Sequence, residues 1–233
     1  MPSQEWKIVG HLHDAEALLT DHHRIVLTCS VRPASFWHDI PLYPLTDSGG
    51  RGGLVRMLCL TPSGSRVHGH CAIHEPSTPL RLSRVNEGGG NRFAAPAKWN
   101  LGVLPQTLSA PRHAQESQDL VQGDGRPVQI LEIGGDKPRN LGEAYLVKPF
   151  GALLVADREK GVQTWTIVSV AANHQLEKKI RNMGDVEKLL SGKMEEISDW
   201  ERTSGCLYTG ECLQRLNLPG PDERQSGVAC DVF

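Results

Sequence analysis

The sequence predicts a mainly β or α+β protein whose short strands form a closed or nearly closed barrel. Three observations support this fold class. Short apolar runs of strand character are separated by clusters of Gly, Pro, Asn and Asp. Glycine and proline are abundant, at 24 and 15 of the 233 residues, which disfavours a helical bundle. Helical periodicity begins only near residue 185.

Seven short segments carry the strand signal. In one of them His68 and His70 alternate with apolar residues, at the period of two that gives a strand two different faces. The two imidazoles are therefore expected on the same face of that strand. We predict strands over residues 25–30, 54–60, 67–73, 128–133, 144–148, 152–156 and 165–170.

Helices are predicted only late in the chain. Residues 185–190 place their apolar side chains on one helical face, and residues 193–202 repeat an apolar residue at every third position. Residues 203–233 show little periodicity, so we predict an irregular tail that packs on the body or is partly disordered. The length fits one domain over residues 1–233.

Composition excludes several classes of partner. The formal net charge of -2 disfavours binding to nucleic acid, and no apolar run approaches the length of a membrane span. The first residues are polar and lack the apolar core of a signal peptide, so we expect a cytoplasmic location. The six cysteines match no paired zinc-binding pattern.

The most informative motif is the segment Gly-Asp-Gly-Arg-Pro-Val-Gln-Ile-Leu-Glu-Ile-Gly at 123–134. With four further segments in the same order, it resembles the signatures of the soluble (family I) inorganic pyrophosphatases. That resemblance is strongest over residues 24–202 and fades in the tail. It implies a five-stranded, OB-like β-barrel with flanking helices. The four further segments are 35–43, 100–107, 148–153 and 185–189.

The resemblance also implies where an active site would lie. The family pattern Asp-x-Asp-Pro-x-Asp holds magnesium ions, and this chain has Asp124, Arg126 and Gln129 at its three acidic positions. The chain is therefore identified as a degenerate member, with most metal- and phosphate-binding residues replaced. Other positions matching the family's metal and phosphate ligands are Leu60, His68, His70, Arg84, Ala97, Leu101, Asp157, Thr164 and Thr166.

These replacements predict weak metal binding. Exchanging Asp for Arg at 126 changes the local charge by two units, and Mg²⁺ prefers several hard oxygen ligands. Asp124 and Asp157 are the only candidates for holding Mg²⁺, and we predict no cofactor. Pyrophosphatase activity is expected to be very low or absent.

The replaced positions fit an organic ligand better than pyrophosphate, because they combine apolar groups with a few neutral polar ones. We predict His68, His70, Asp124 and Arg126 as catalytic residues. The alternative for each pair is structural: two exposed strand histidines, and a stabilising loop ion pair. Residues predicted to contact the substrate are Leu60, Arg84, Trp99, Leu101, Gln129, Asp157, Thr164, Trp165 and Thr166.

Three functions are compatible with this pattern. The first is a repurposed enzyme that transforms a small organic molecule by a proton-transfer step of the isomerase, cyclase or lyase type, for instance in natural-product biosynthesis. The second is a non-catalytic binding protein that keeps the fold alone. The third is a residual Mg²⁺-dependent diphosphate hydrolase. The expected partners are a small organic molecule and a second copy of the chain in a homodimer, with neither nucleic acid nor membrane.

Overall fold

The computed structural model describes residues 6–9, 24–30, 32–44, 53–84, 96–110, 123–134, 137–157, 162–204 and 212–217. Eleven strands and two helices lie in these ranges. The strands are β1 (Trp6–Val9), β2 (Arg24–Cys29), β3 (Arg32–Ala34), β4 (Val55–Thr61), β5 (Val67–Cys71), β6 (Leu80–Arg84), β7 (Asn100–Val103), β8 (Gln129–Glu132), β9 (Ala144–Asp157), β10 (Val162–Ala171) and β11 (Cys212–Asn217). The helices are α1 (Met183–Leu189) and α2 (Lys193–Ser204).

Five strands close into a barrel in the order β10-β8-β7-β4-β9, because β9 also pairs with β10. The β8–β10 pair is parallel and the other pairs are antiparallel. β11 adds to the outside of β9. Closure satisfies the backbone hydrogen bonds of every barrel strand, which removes exposed edges. The five-stranded barrel with flanking helices is the predicted fold class, which is confirmed.

A second sheet, ordered β1-β2-β6-β5 with β3 paired to β2, lies against the barrel. Its buried side chains form one apolar cluster with Leu58, Leu60 and Val103 of the barrel. The two helices form a second cluster on the face that carries Leu101 and Leu131. The barrel interior holds a third cluster, which includes Met57, Ile130, Val147 and Ile167.

α1 begins at a capped position. The Asn182 side chain accepts a hydrogen bond from the backbone N–H of Asp185 at 3.0 Å, which satisfies one of the free donors of the first turn. Met183 and Val186 of α1, with Ile197 and Trp200 of α2, face the sheet. Burying each such side chain stabilises the fold by roughly 1.5–3 kcal/mol. The described helices are too short and too polar to cross a membrane.

Two predictions about strands are wrong. The segments 144–148 and 152–156, predicted as two separate strands, form the continuous strand β9 through Pro149 and Gly151. The pairing with β10 shifts register at this point, and a bulge of this kind accommodates proline inside a strand. The tail also contains the strand β11, which the weak periodicity after residue 203 does not indicate.

Gly102 is the barrel glycine whose replacement should be most damaging. A Cβ at this position would overlap the backbone carbonyl oxygen of Leu58, which cannot rotate away. The three atoms nearest to a Cβ at Gly151 all belong to the flexible side chain of Met183. Gly102→Ala should therefore lower the free energy of unfolding by more than the roughly 1–3 kcal/mol typical of overpacking. Gly151→Ala should lower it by an amount within that range. Urea unfolding measures both, and equal losses would contradict the proposed clash.

Candidate functional site

One face of the barrel sheet collects polar side chains from neighbouring strands. Cross-strand partners point to the same face of a sheet. Thr61 of β4 pairs with Leu101 of β7, while Gln129 of β8 pairs with Val103 of β7 and with Thr166 of β10. Because residues two apart share a face, these residues lie on one side of the sheet.

His68 and His70 of β5 lie at the edge of this face. The ring centroids are 4.2 Å apart and the rings are nearly perpendicular, at 82°. The Nδ1 atom of His68 is hydrogen-bonded to the Thr61 hydroxyl, and Nε2 of His70 is 3.0 Å from the Ser83 hydroxyl. His68 is buried, whereas the His70 ring is partly covered by protein and partly accessible to solvent. The prediction that the two imidazoles are neighbours is confirmed.

Arg126 acts electrostatically on both imidazoles. Burial is the main cause that holds the pKa of His68 well below its usual value, with smaller effects from His70 and Arg126. The pKa of His70 is lowered to about 4, mainly because the surrounding protein reduces the contact of the ring with water. The charges of Arg126 and Arg81 are the smaller causes. Both rings are therefore neutral at pH 7, beside a permanent cation.

The loop before β8 positions this cation. Asp124 Oδ1 accepts a hydrogen bond at 3.1 Å from the backbone N–H of Arg126, in the Asx geometry that aspartate forms two residues ahead. Gly125 has φ +70, a conformation that favours glycine. Two backbone hydrogen bonds with Ser109 hold the loop. The Gly125 N–H donates to the Ser109 carbonyl at 2.8 Å, and the Ser109 N–H donates to the Arg126 carbonyl at 2.7 Å. Asp124 therefore shapes the loop that carries Arg126.

Two buried polar atoms on the shared face have no hydrogen-bond partner within the described ranges. They are Oε1 of Gln129 and Oγ1 of Thr166, on adjacent strands in register. A buried polar group without a partner costs about 1–3 kcal/mol. A bound molecule that hydrogen-bonds to both atoms would remove that cost.

Three residues predicted to contact the substrate lie in or against apolar clusters. Trp165 packs against the barrel-interior cluster, because it alternates with Thr166 and faces the other side of β10. Trp99 is buried with its ring 5.2 Å from that of Trp200, in the cluster under the helices. Leu60 belongs to the cluster beneath the second sheet. Their predicted contacts with a substrate remain predictions.

The other predicted positions differ in how far the structure describes them. Leu101 lies on the shared face but is fully buried under the helices. The side chains of Arg84, Asp157 and Thr164 lie outside the described part of the structure, although their backbones belong to β6, β9 and β10. Their predicted roles remain predictions.

Sequence reasoning missed three residues around the histidines. Thr61 and Ser83 hydrogen-bond the two imidazoles, and Arg81 adds a second positive charge beside His70. Ser83 and Arg81 pair with His68 and His70 in the β5–β6 register. The sequence signal for them is weak, because β6 is not among the predicted strands and its register cannot be inferred.

The fold and the site together define a closed-barrel protein with a polar site on the sheet face near its helices. The chain belongs to the inorganic pyrophosphatase family, whose model, described as "Inorganic pyrophosphatase", matches residues 73–205. It is 32% identical over 188 residues to soluble inorganic pyrophosphatase 6, chloroplastic, of Arabidopsis thaliana, covering 81% of this chain and 59% of that protein.

Further relatives agree with this family. Soluble inorganic pyrophosphatase 1, chloroplastic, of Chlamydomonas reinhardtii is 30% identical over 180 residues, covering 77% of this chain and 60% of its own. The chain thus spans about three-fifths of the length of these two relatives. The crystal structure of the type I inorganic pyrophosphatase from Toxoplasma gondii superposes with a TM-score of 0.72 at 26% identity, covering 95% of both chains.

Magnesium is the metal that family membership implies, and the described side chains do not fit it. The motif offers one carboxylate, an amide and a guanidinium at Asp124, Gln129 and Arg126. Within the described ranges no three His, Cys, Asp or Glu side chains come together as metal ligands. The charge of Arg126 opposes a divalent cation.

Arg126→Gln should raise the pKa of His70. The substitution removes a neighbouring positive charge that disfavours the imidazolium, so the pKa should move up from about 4 toward 6.5. The rise should be partial, since burial is the larger cause. NMR titration of the imidazole protons measures the change. Arg139→Gln, at the other end of the barrel, is the matched control. Equal titration of His70 in all three proteins would contradict the proximity of Arg126.

Proposed function

We propose that this family member has lost most of the groups that bind metal and pyrophosphate, and that it binds and transforms a small organic anion. The reaction is a metal-independent proton transfer of the isomerase, cyclase or lyase type. The position of Arg126 carries the proposal, because its charge reaches both His68 and His70. Neutral hydrogen-bonding groups on the adjacent sheet face support it.

Charge decides which ligand the site favours. A unit charge about 4 Å from a like charge is unfavourable by about 4 kcal/mol at a moderate effective dielectric, and a divalent ion doubles the effect. The same charge attracts an anion by a similar amount. A guanidinium binds carboxylate or phosphate oxygens with two parallel hydrogen bonds. Arg126 therefore replaces the metal ion as the positive partner of the ligand.

The sheet face supplies the neutral contacts. Gln129 Oε1 accepts a hydrogen bond, while the Thr166 hydroxyl donates or accepts one. Leu101, which is buried between these strands and Thr61, makes the surroundings of these groups apolar. A charged anchor, a few converging polar groups and apolar surroundings are typical of sites for small organic molecules.

His70 is the residue best placed to move a proton. Its neutral ring is a weak base in the free protein, since its pKa is about 4. An anion bound to Arg126 offsets the charge that lowers this pKa and makes the ring more basic. His70 then accepts a proton from an acidic carbon of the substrate and returns it to a different atom. The net proton count is unchanged, as an isomerisation requires.

A second candidate function is residual Mg²⁺-dependent diphosphate hydrolysis. It is favoured by the relatives, which are named inorganic pyrophosphatases at 30–32% identity. A non-catalytic binding protein with the same site is the remaining alternative. The cytoplasmic location and the homodimer stay predictions, and both named relatives are described as chloroplastic.

Thermal unfolding in EDTA tests anion binding without metal. Malonate and inorganic phosphate, as carboxylate and phosphate probes, should raise the unfolding midpoint in a saturable way. Arg126→Gln should weaken the response to both probes at least about tenfold, because the charged partner is lost. Arg32→Gln, an exposed arginine of β3, is the matched control and should respond like the natural chain.

A measurement of phosphate release from pyrophosphate distinguishes the candidate functions. The natural chain with Mg²⁺ should release phosphate no faster than the Asp124→Asn variant. Rapid Mg²⁺-dependent release that disappears in Asp124→Asn would establish the hydrolase and overturn the proposal. Anion binding through Arg126 with no conversion of organic acids by the natural chain would favour the non-catalytic alternative.

A further inference from the structure

A second polar region lies at the opposite end of the barrel from Arg126. A cleft of about 830 Å³ opens there, between the chain ends that follow β8 and β10 and the start of β9. Ala171, at the end of β10, is five residues beyond Thr166, a distance of about 17 Å along a strand. The cleft is therefore separate from the site around Arg126 and does not rest on the function proposed for that site.

Glu132 lines this cleft and is fully buried. Its Oε2 atom accepts hydrogen bonds from Asn100 Nδ2 at 2.9 Å and from the Tyr145 hydroxyl at 3.5 Å. Its Oε1 atom is buried and has no hydrogen-bond partner among the described residues. Burial and the Glu132 carboxylate raise the pKa of Tyr145, which keeps its hydroxyl as a donor. The carboxylate thus retains one unused acceptor.

Asn100 holds the cleft in a fixed arrangement. Besides binding Glu132, its Nδ2 donates to the backbone oxygen of Lys137 at 3.3 Å. Its Oδ1 accepts from the backbone N–H of Arg139 at 3.1 Å. One buried amide therefore sets the positions of an acidic and two basic residues, and such preorganisation reduces the entropy lost on binding.

The basic side chains lie at the entrance. Lys137 is exposed. Arg139 stacks over the Tyr145 ring at 4.3 Å and is 3.4 Å from both Glu143 and Asn173. The cleft thus presents a buried acceptor below a rim with cationic groups. The two carboxylates of the lining balance its two cationic side chains, so its net charge favours neither a simple cation nor a simple anion.

We propose that this cleft binds a small zwitterion of the α-amino acid class. The ligand's ammonium group donates to Glu132 Oε1, and its carboxylate faces Lys137 and Arg139. An ammonium group is the strongest donor for this position, because it donates a hydrogen bond to Glu132 Oε1 and also neutralises the charge of the buried carboxylate. The remaining volume accommodates a side chain, for which Asn140, Asn173 and His174 provide polar contacts.

Two other ligands fit less well. A divalent cation needs several oxygen ligands, and Glu143, one of the two carboxylates of the cleft, is already paired with Arg139. A nucleobase needs a flat wall for stacking. The described lining offers one aromatic ring, His174, because the face of Tyr145 is covered by Arg139.

Calorimetric titration with the common L-α-amino acids, one at a time, tests the proposal. At least one should bind in a saturable way at up to about 10 mM. Propionate and ethylamine, which carry only one of the two charges, should not bind over that range. Glu132→Gln should weaken the binding at least about tenfold, and Lys137→Ala should weaken it several-fold.

The matched controls exclude indirect effects. Lys178→Ala removes another exposed lysine and should bind like the natural chain. Arg126→Gln should also leave amino acid binding unchanged, which distinguishes this cleft from the other site. If the Glu132→Gln variant does not fold, amino acid binding by the Lys137→Ala variant alone tests the proposal. The absence of binding by every amino acid, or undiminished binding by Lys137→Ala, would overturn the proposal.

Discussion

The antiparallel pairing of β9 with β10 closes the barrel, and both polar regions of the molecule depend on that closure. Ten pairs of residues align along these two strands, with a bulge at Pro149. The parallel pairing of β10 with β8 then places Thr166 beside Gln129 at one end. At the other end the same strands place Glu132 next to the segment that follows β10.

The two ends differ in the charge that accompanies their buried polar atoms. Near His68 and His70 the fixed charge is that of Arg126, and the neighbouring groups are neutral imidazoles, a hydroxyl and an amide. In the cleft the buried group is the Glu132 carboxylate. A magnesium–pyrophosphate complex needs clustered carboxylates at the first of these places. The proposed loss of diphosphate chemistry follows from this difference in charge.

Sequence patterns predict the barrel, both helices and the neighbouring histidines because each depends on local periodicity or on motifs kept by the family. They do not predict the short strands β1, β3, β6, β7 and β11, whose limits are set by pairing with other strands. The sequence does not reveal either that Trp165 packs against the barrel-interior cluster. The cleft around Glu132 also escapes sequence reasoning, because polar burial results from tertiary contacts such as that with Asn100.

Calorimetric titration with Mg²⁺ tests the central claim most directly. The natural chain should show no saturable Mg²⁺ binding, whereas the double variant Arg126→Asp, Gln129→Asp should gain it, since two carboxylates then join Asp124. Titrating the Arg126→Gln variant in parallel separates the loss of the positive charge from the gain of ligands. Tight binding of several Mg²⁺ ions by the natural chain would contradict the account.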